Sequence, residues 1–388
     1  ISIFITFVFL TIPLYYIIGI KRECNVNKID VIDADAHVIE TEDTWSYLEP
    51  AEKKYFPILT ENNNNESQQG WTINGILAPA LIRRFKDQEI KKMSAVAGRN
   101  MITPQAAREM KDIKLRLKHM NELGIDKQVI FPTMWLQSLT SDPDAEAALS
   151  RSYNSWLRDI CSVSNGRLRW ACIPSTLLID EAVIQIRQAK KDGAVAVFMR
   201  AFEGNRIMTD PYFYPIYQEA QNLNIPVCVH IGNGNRANCD LFRESPITIG
   251  AKGFAVTRVP AVIGCMWLLL SEIPKNFPQL RWGFIESASQ WMPWVYNEVA
   301  RRIESVGGTV SEDLFGDSNI YATCQNDDDL SWVLKYSGSK SLIIGTDYGH
   351  TDPSTQIDAI SIFRNREDLD QYNKNNILSN NPKRLYGI

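Results

Sequence analysis

The 388-residue sequence has no Cys-x-x-Cys pair, no run of lysine or arginine, and only four histidines. Each shortage excludes something. Seven cysteines scattered from Cys24 to Cys324, an odd number without zinc-finger spacing, read as reduced core thiols, which favours a reducing compartment. With no basic run, a formal net charge of −4 and a pI near 5.7, the chain has no electrostatic footprint for nucleic acid. No G-x-G-x-x-G follows the first strand-like run, so a doubly wound dinucleotide-binding sheet is only the second choice of architecture. What is present is a 45% hydrophobic, 22% charged chain, long enough to bury a sizeable core as two domains or as one large barrel.

The first 20 residues, ISIFITFVFLTIPLYYIIGI, carry no charge and are followed by Lys21 and Arg22. Their length suits a bilayer-crossing helix, and residues 1–22 are therefore read as a hydrophobic segment that anchors the protein in a membrane. The flanking cations place the rest on the cytoplasmic side. The basic start and small-residue cleavage site of a secretory signal are missing. Pro13 and Gly19 weaken the helix, and because the chain opens on Ile, a fragment or a mistranslated upstream region is the alternative reading.

From residue 29 onward, strand and helix patterns alternate. VIDADAHVIE (31–40) opens the series, and side-chain alternation predicts that Asp33, Asp35 and His37 point the same way. A carboxylate and an imidazole so spaced are potential ligands of one cation, or a half-buried strand's ordinary hydrogen-bonding groups. Residues 41–126 form a long insertion, with the low-complexity run ENNNNESQQG (61–70) read as a solvated loop and residues 103–124 as one helix capped by Thr103 and stopped by Gly124. Strands follow at 127–133, 167–175, 194–200, 226–232, 280–287, 319–325 and 341–347. Eight near-continuous apolar runs separated by helices predict a (β/α)8 TIM barrel over residues 29–388.

Active sites of that fold sit at the C-terminal strand ends. Those ends carry Asp35 and His37, then Arg200, His230, Glu286, Cys324 with Gln325, and Asp347, and His350 follows three residues later. Three of the four histidines fall at or just past these ends, which points to a metal site. Arg200 is placed either to grip a substrate carboxylate or phenolate or to form a rim salt bridge. His119, inside the expected helix, reads as a packed or surface histidine, and substrate specificity is assigned to the insertion, including Arg83 and Arg84.

DADAHVIE, LGIDKQVIFPT, SRSYNSWLRDICS, PVCVHIGNG, IESASQWMPW, TCQNDDDL and GTDYGHTDPS together resemble the amidohydrolase-related family that includes the aminocarboxymuconate-semialdehyde and γ-resorcylate decarboxylases. The resemblance implies one divalent ion, zinc or manganese, held by Asp35, His37, His230 and Asp347. Decarboxylating relatives commonly have a catalytic histidine at the end of the sixth strand, where this chain has Glu286. That residue is expected to shuttle protons, to bind a substrate group, or to orient the rim.

The expectation is a metal-dependent hydrolase acting through activated water on a small ester, lactone or amide. Asp347 moves the proton, and His350 donates to substrate or supports Asp347. Non-oxidative decarboxylation of an aromatic or enoic acid is the alternative, and a membrane-tethered binding module without chemistry is the third. A homodimer is expected from the apolar helix surface.

Overall fold

The computed structural model describes residues 29–61, 69–78, 84–243 and 253–388. Eight strands form one sheet: β1 (Ile32–His37), β2 (Lys127–Phe131), β3 (Leu168–Cys172), β4 (Ala196–Met199), β5 (Val227–His230), β6 (Trp282–Ile285), β7 (Ile320–Cys324) and β8 (Leu342–Ile344). Each lies parallel to the next in chain order. Past β8 the chain returns to β1 through a bridge between Ala36 and Tyr348. There the Asp347 N–H donates to Asp35 O (3.0 Å) and the His37 N–H to Tyr348 O (2.7 Å). The sheet is thereby nearly closed, with helices between the strands, as a TIM barrel requires.

The strands form because runs such as VCVH and LII are buried along their whole length. Two-sided burial rewards apolar β-branched residues on both faces. The intervening helices bury one face each, as α2 (Pro143–Ser162) does with Leu149, Tyr153, Trp156 and Leu157. Its start is set by Asp142, whose carboxylate accepts from the Asp144 and Ala145 N–H groups.

Two expectations about the insertion change. Residues 103–124 are not one helix: Gln105–Arg108 and α1 (Ile113–Glu122) are separate. The break is local chemistry, with Met110 at φ 56 and the Asp112 carboxylate capping α1 through the Leu115 N–H. Glu61, Gln69 and Gly70 are not loop but strand, since Ile58–Glu61 pairs antiparallel with Gln69–Ile73. The latter turns through Asn74 and Gly75, both at positive φ, into Ile76–Leu77. No helix among the described residues is long and apolar enough to cross a membrane. Residues 1–22, Arg83 and the middle of the asparagine run lie outside the described residues.

Candidate metal centre

The two ligand candidates on β1 arrive through alternation, His230 and Glu286 come from across the barrel, and Asp347 and His350 come from the strand end beside β1. Asp35 and His37 end β1, His230 ends β5, Glu286 follows β6, and Asp347 and His350 follow β8. All six are at most 3% exposed. His37 Nε2 lies 3.4 Å from Asp35 Oδ1, 3.6 Å from Glu286 Oε2 and 3.5 Å from Asp347 Oδ1. His230 Nε2 lies 3.3 Å from Asp35 Oδ1 and 3.7 Å from Glu286 Oε2. Asp35, His37, His230 and Glu286 form one convergent donor group, and His37, Glu286, Asp347 and His350 a second that overlaps it.

Most of these separations are too long for good hydrogen bonds. Separations of this size suit nitrogen and oxygen donors that share one divalent cation at ~2.1 Å each. The tautomers agree with that use. His37 Nδ1 meets Pro132 O at 3.0 Å and His230 Nδ1 meets Ile231 O at 3.0 Å. A carbonyl only accepts, so each ring carries a hydrogen on Nδ1 and turns Nε2 inward, where its lone pair serves a cation once any proton there is displaced. Neither oxygen of Glu286 finds a hydrogen-bond donor among the described residues, nor does His37 Nε2 find a hydrogen-bond partner. A buried carboxylate left so is costly, and a divalent cation is the partner this donor set fits.

Charge crowding shows in the proton affinities. Burial, with Glu286, Asp352 and Asp35 nearby, raises Asp347 well above the usual carboxylate range, and burial with Asp352 also raises Glu286. Burial alone would raise Asp35 too, but His230 and His37 outweigh it and hold it low. Burial lowers His37, yet the carboxylates of Asp35 and Glu286 that face its Nε2 outweigh burial and push it up to about 9. His350 packs its ring on His37, with centroids 3.7 Å apart, and sets Nδ1 2.7 Å from Asp347 Oδ1. Thr355 Oγ1 donates to the other Asp347 oxygen at 2.5 Å.

The structure brings Asp35, His37, His230, Glu286, Asp347 and His350 together and leaves Arg200 out. Arg200 is 3% exposed and turns its guanidinium onto Glu203, with Nε 3.0 Å from Oε1, and onto Trp135 O at 3.0 Å. Its guanidinium is thus held by the protein's own acceptors, which favours the salt-bridge alternative over the grip on a substrate. The rim salt bridge weighed beside it is closer, although the pair is buried. Asp33, expected to face with Asp35 and His37, instead accepts from the Thr346 N–H (2.9 Å), Thr346 Oγ1 (2.6 Å) and Gln128 Nε2 (2.8 Å). A register irregularity between Asp33 and Ala36 accompanies this. His119 is apart from the cluster, with Nδ1 at 2.8 Å from the Tyr348 hydroxyl. Of the insertion's arginines, Arg84 pairs with Glu42. Sequence reading assigned no role to Thr133 and Asp352, although they stand inside LGIDKQVIFPT and GTDYGHTDPS, and they matter through what they touch.

The Amidohydrolase family profile matches residues 32–388. No curated protein matches the chain. Among solved structures, an amidohydrolase from Mycobacterium avium subsp. paratuberculosis superposes with a TM-score of 0.75 at 16% identity, covering 93% of this chain and 100% of that one. A 4-oxalomesaconate hydratase from Rhodopseudomonas palustris gives 0.59 at 14% identity, over 92% and 95%. A 5-carboxyvanillate decarboxylase from Novosphingobium aromaticivorans with bound manganese gives 0.60 at 15% identity, over 78% and 94%. At these identities the likeness is one of fold.

Proposed function

This chain belongs to the Amidohydrolase family, and from that premise we propose that it hydrolyses an ester, lactone or amide bond in a small organic molecule. Asp35, His37, His230 and Glu286 would hold one divalent ion, with Asp347 beside them. Zinc and manganese both suit these nitrogen and oxygen donors, and the manganese in the Novosphingobium decarboxylase supports the latter. When bound, such an ion acidifies water and polarises a substrate oxygen.

The chain's own contribution is to move a proton. Asp347 Oδ1 faces the donor group at 3.5 Å from His37 Nε2 and faces His350 Nδ1 at 2.7 Å. It can take a proton on one side, share it with His350, and return it to a leaving group. Glu286 finds no hydrogen-bond donor among the described residues, which supports its use as an anionic ligand beside the roles of proton shuttle, substrate contact or rim carboxylate. Burial of all six side chains keeps bulk water from competing. The Asp347–His350 pair carries this reading, because hydrolysis needs a proton acceptor that gives its proton back and needs no cationic grip on a substrate carboxylate.

Decarboxylation of an aromatic or enoic acid is the second reading, favoured by the likeness to the 5-carboxyvanillate decarboxylase. It calls for a carboxylate dock, and Arg200 is already occupied by Glu203. Purified protein reconstituted with manganese or zinc is to be assayed against a panel of esters and lactones and against 5-carboxyvanillate. Cleavage with uptake of one water is expected. Carbon dioxide release without net water addition overturns the first reading in favour of the second.

A further inference from the structure

The end of β2 supplies no donor to the metal centre, yet it touches two of its imidazoles. Pro132 O meets Nδ1 of His37. One residue later, Thr133 Oγ1 lies 2.6 Å from Val38 O and 2.8 Å from His350 Nε2. A threonine hydroxyl has one hydrogen to give and lone pairs to receive. Val38 O can only accept, so the hydroxyl hydrogen goes there. The lone pair that remains faces Nε2, which must bring its own hydrogen. The opposite arrangement leaves two oxygens 2.6 Å apart with no hydrogen between them.

We infer that Thr133 is a positioning residue that fixes His350 as the Nε2–H tautomer, opposite to the Nδ1–H form of His37 and His230. The three imidazoles are thereby sorted by what their Nε2 meets. His37 and His230 turn Nε2 to the donor cluster, whereas His350 spends its Nε2–H on Thr133 and keeps Nδ1 for Asp347. Proton exchange between Asp347 and His350 then runs through Nδ1 alone, although the His37 and His350 rings are stacked. Thr133 is rigid enough for this task. It is 1% exposed, and its N–H and that of Met134 are held by the two oxygens of Glu40 at 2.9 Å and 3.2 Å. The use of this tautomer rests on the hydrolase reading above, whereas the tautomer itself does not.

The test is two-bond proton–nitrogen correlation spectroscopy on protein labelled with 15N-histidine, with and without zinc. Four histidines give few signals, and His350→Gln assigns the one in question. A protonated, pyrrole-type Nε2 is expected for His350 in the natural protein and in Thr133→Ser. In Thr133→Val the hydrogen is expected to move to Nδ1, because a buried Nε2–H without an acceptor is costly and Asp347 offers one on the other side. A pyrrole-type Nδ1 in the natural protein, or one and the same form in the natural protein and Thr133→Val, overturns the inference. Should Thr133→Val not fold, the spectrum of the natural protein decides. Failure of the hydrolase reading would look different, as absent water-addition activity in a protein whose His350 still shows Nε2–H.

Discussion

Glu286 and Asp347 hold left-handed backbone, at φ 61 and φ 53, a conformation that costs a residue with a β-carbon roughly 1–2 kcal/mol. Two of the three carboxylates that frame the centre are therefore strained, and Glu286 finds no hydrogen-bond donor among the described residues. Such costs persist where the surroundings over-determine the geometry for a purpose. For Glu286→Gln, we expect metal affinity to fall at least ~10-fold, while the melting temperature of the metal-free protein does not fall. Calorimetric manganese titration and differential scanning fluorimetry measure both, and undiminished affinity would remove Glu286 from the donor set. Arg200 makes the contrasting case. Its partner Glu203 is buried at 4% exposure, so Arg200→Leu strands a charge and is expected to cost about 3–5 kcal/mol of folding stability with metal affinity unchanged. Weakened substrate binding in a variant of full stability would return Arg200 to the substrate.

At the scale of elements, the seam between β1 and β8 decides whether the donors meet. A β-carbon on Gly345 would come within 2.3 Å of the Asp35 β-carbon and 3.0 Å of its backbone nitrogen, so glycine alone allows the two strands this approach. Asp33 ties the same seam by accepting from Thr346 on one side and Gln128 on the other. Gly345→Ala is expected to destabilise the protein by about 1–3 kcal/mol and to weaken metal binding more than any exposed substitution, because it pushes Asp35 away from His230. Denaturant unfolding and metal titration read the two effects. A variant with natural metal affinity would show that the seam has slack.

Across the whole molecule, several buried groups hold protons that an unfolded chain would have released. Burial pushes Asp33 up to about 6 and Glu40 up to about 7, from ordinary values of 3.8 and 4.5. His37 stands at about 9 against 6.5, its acidic neighbours outweighing its burial. Where the native state binds more protons than the unfolded one, stability falls as pH rises. The carboxyls thus withdraw stability between about pH 4 and pH 7, and the salt-bridged His37 withdraws its share between about pH 6.5 and pH 9. Asp35 acts the other way, but only in acid, since its proton affinity is lowered. A cation must displace the proton from His37 Nε2, so its binding strengthens as that proton leaves. The metal-free protein is therefore expected to melt lower at pH 8 than at pH 6, with a larger gain in melting temperature on adding manganese at pH 8. Scanning fluorimetry at the two values checks this, and an equal or smaller gain at pH 8 contradicts it.

The sequence by itself determined the barrel and most of its centre. Eight apolar runs with polar ends are legible because burial on both faces and function at one rim leave marks within each short segment, as PVCVHIG and SLIIGTD do. The broken helix before β2 and the paired strands beside the asparagine run were less legible, because a single capping carboxylate or a turn outweighs periodicity over a few residues. Only the tertiary structure decided what each polar end faces. That Arg200 meets Glu203, that Asp33 braces the seam while Asp35 joins the cluster, and that Thr133 meets His350 across 217 positions depend on distances of a few tenths of an ångström between segments far apart in the chain. Hydrogen-bond and coordination energies change sharply over such distances, and no pattern within one segment records them.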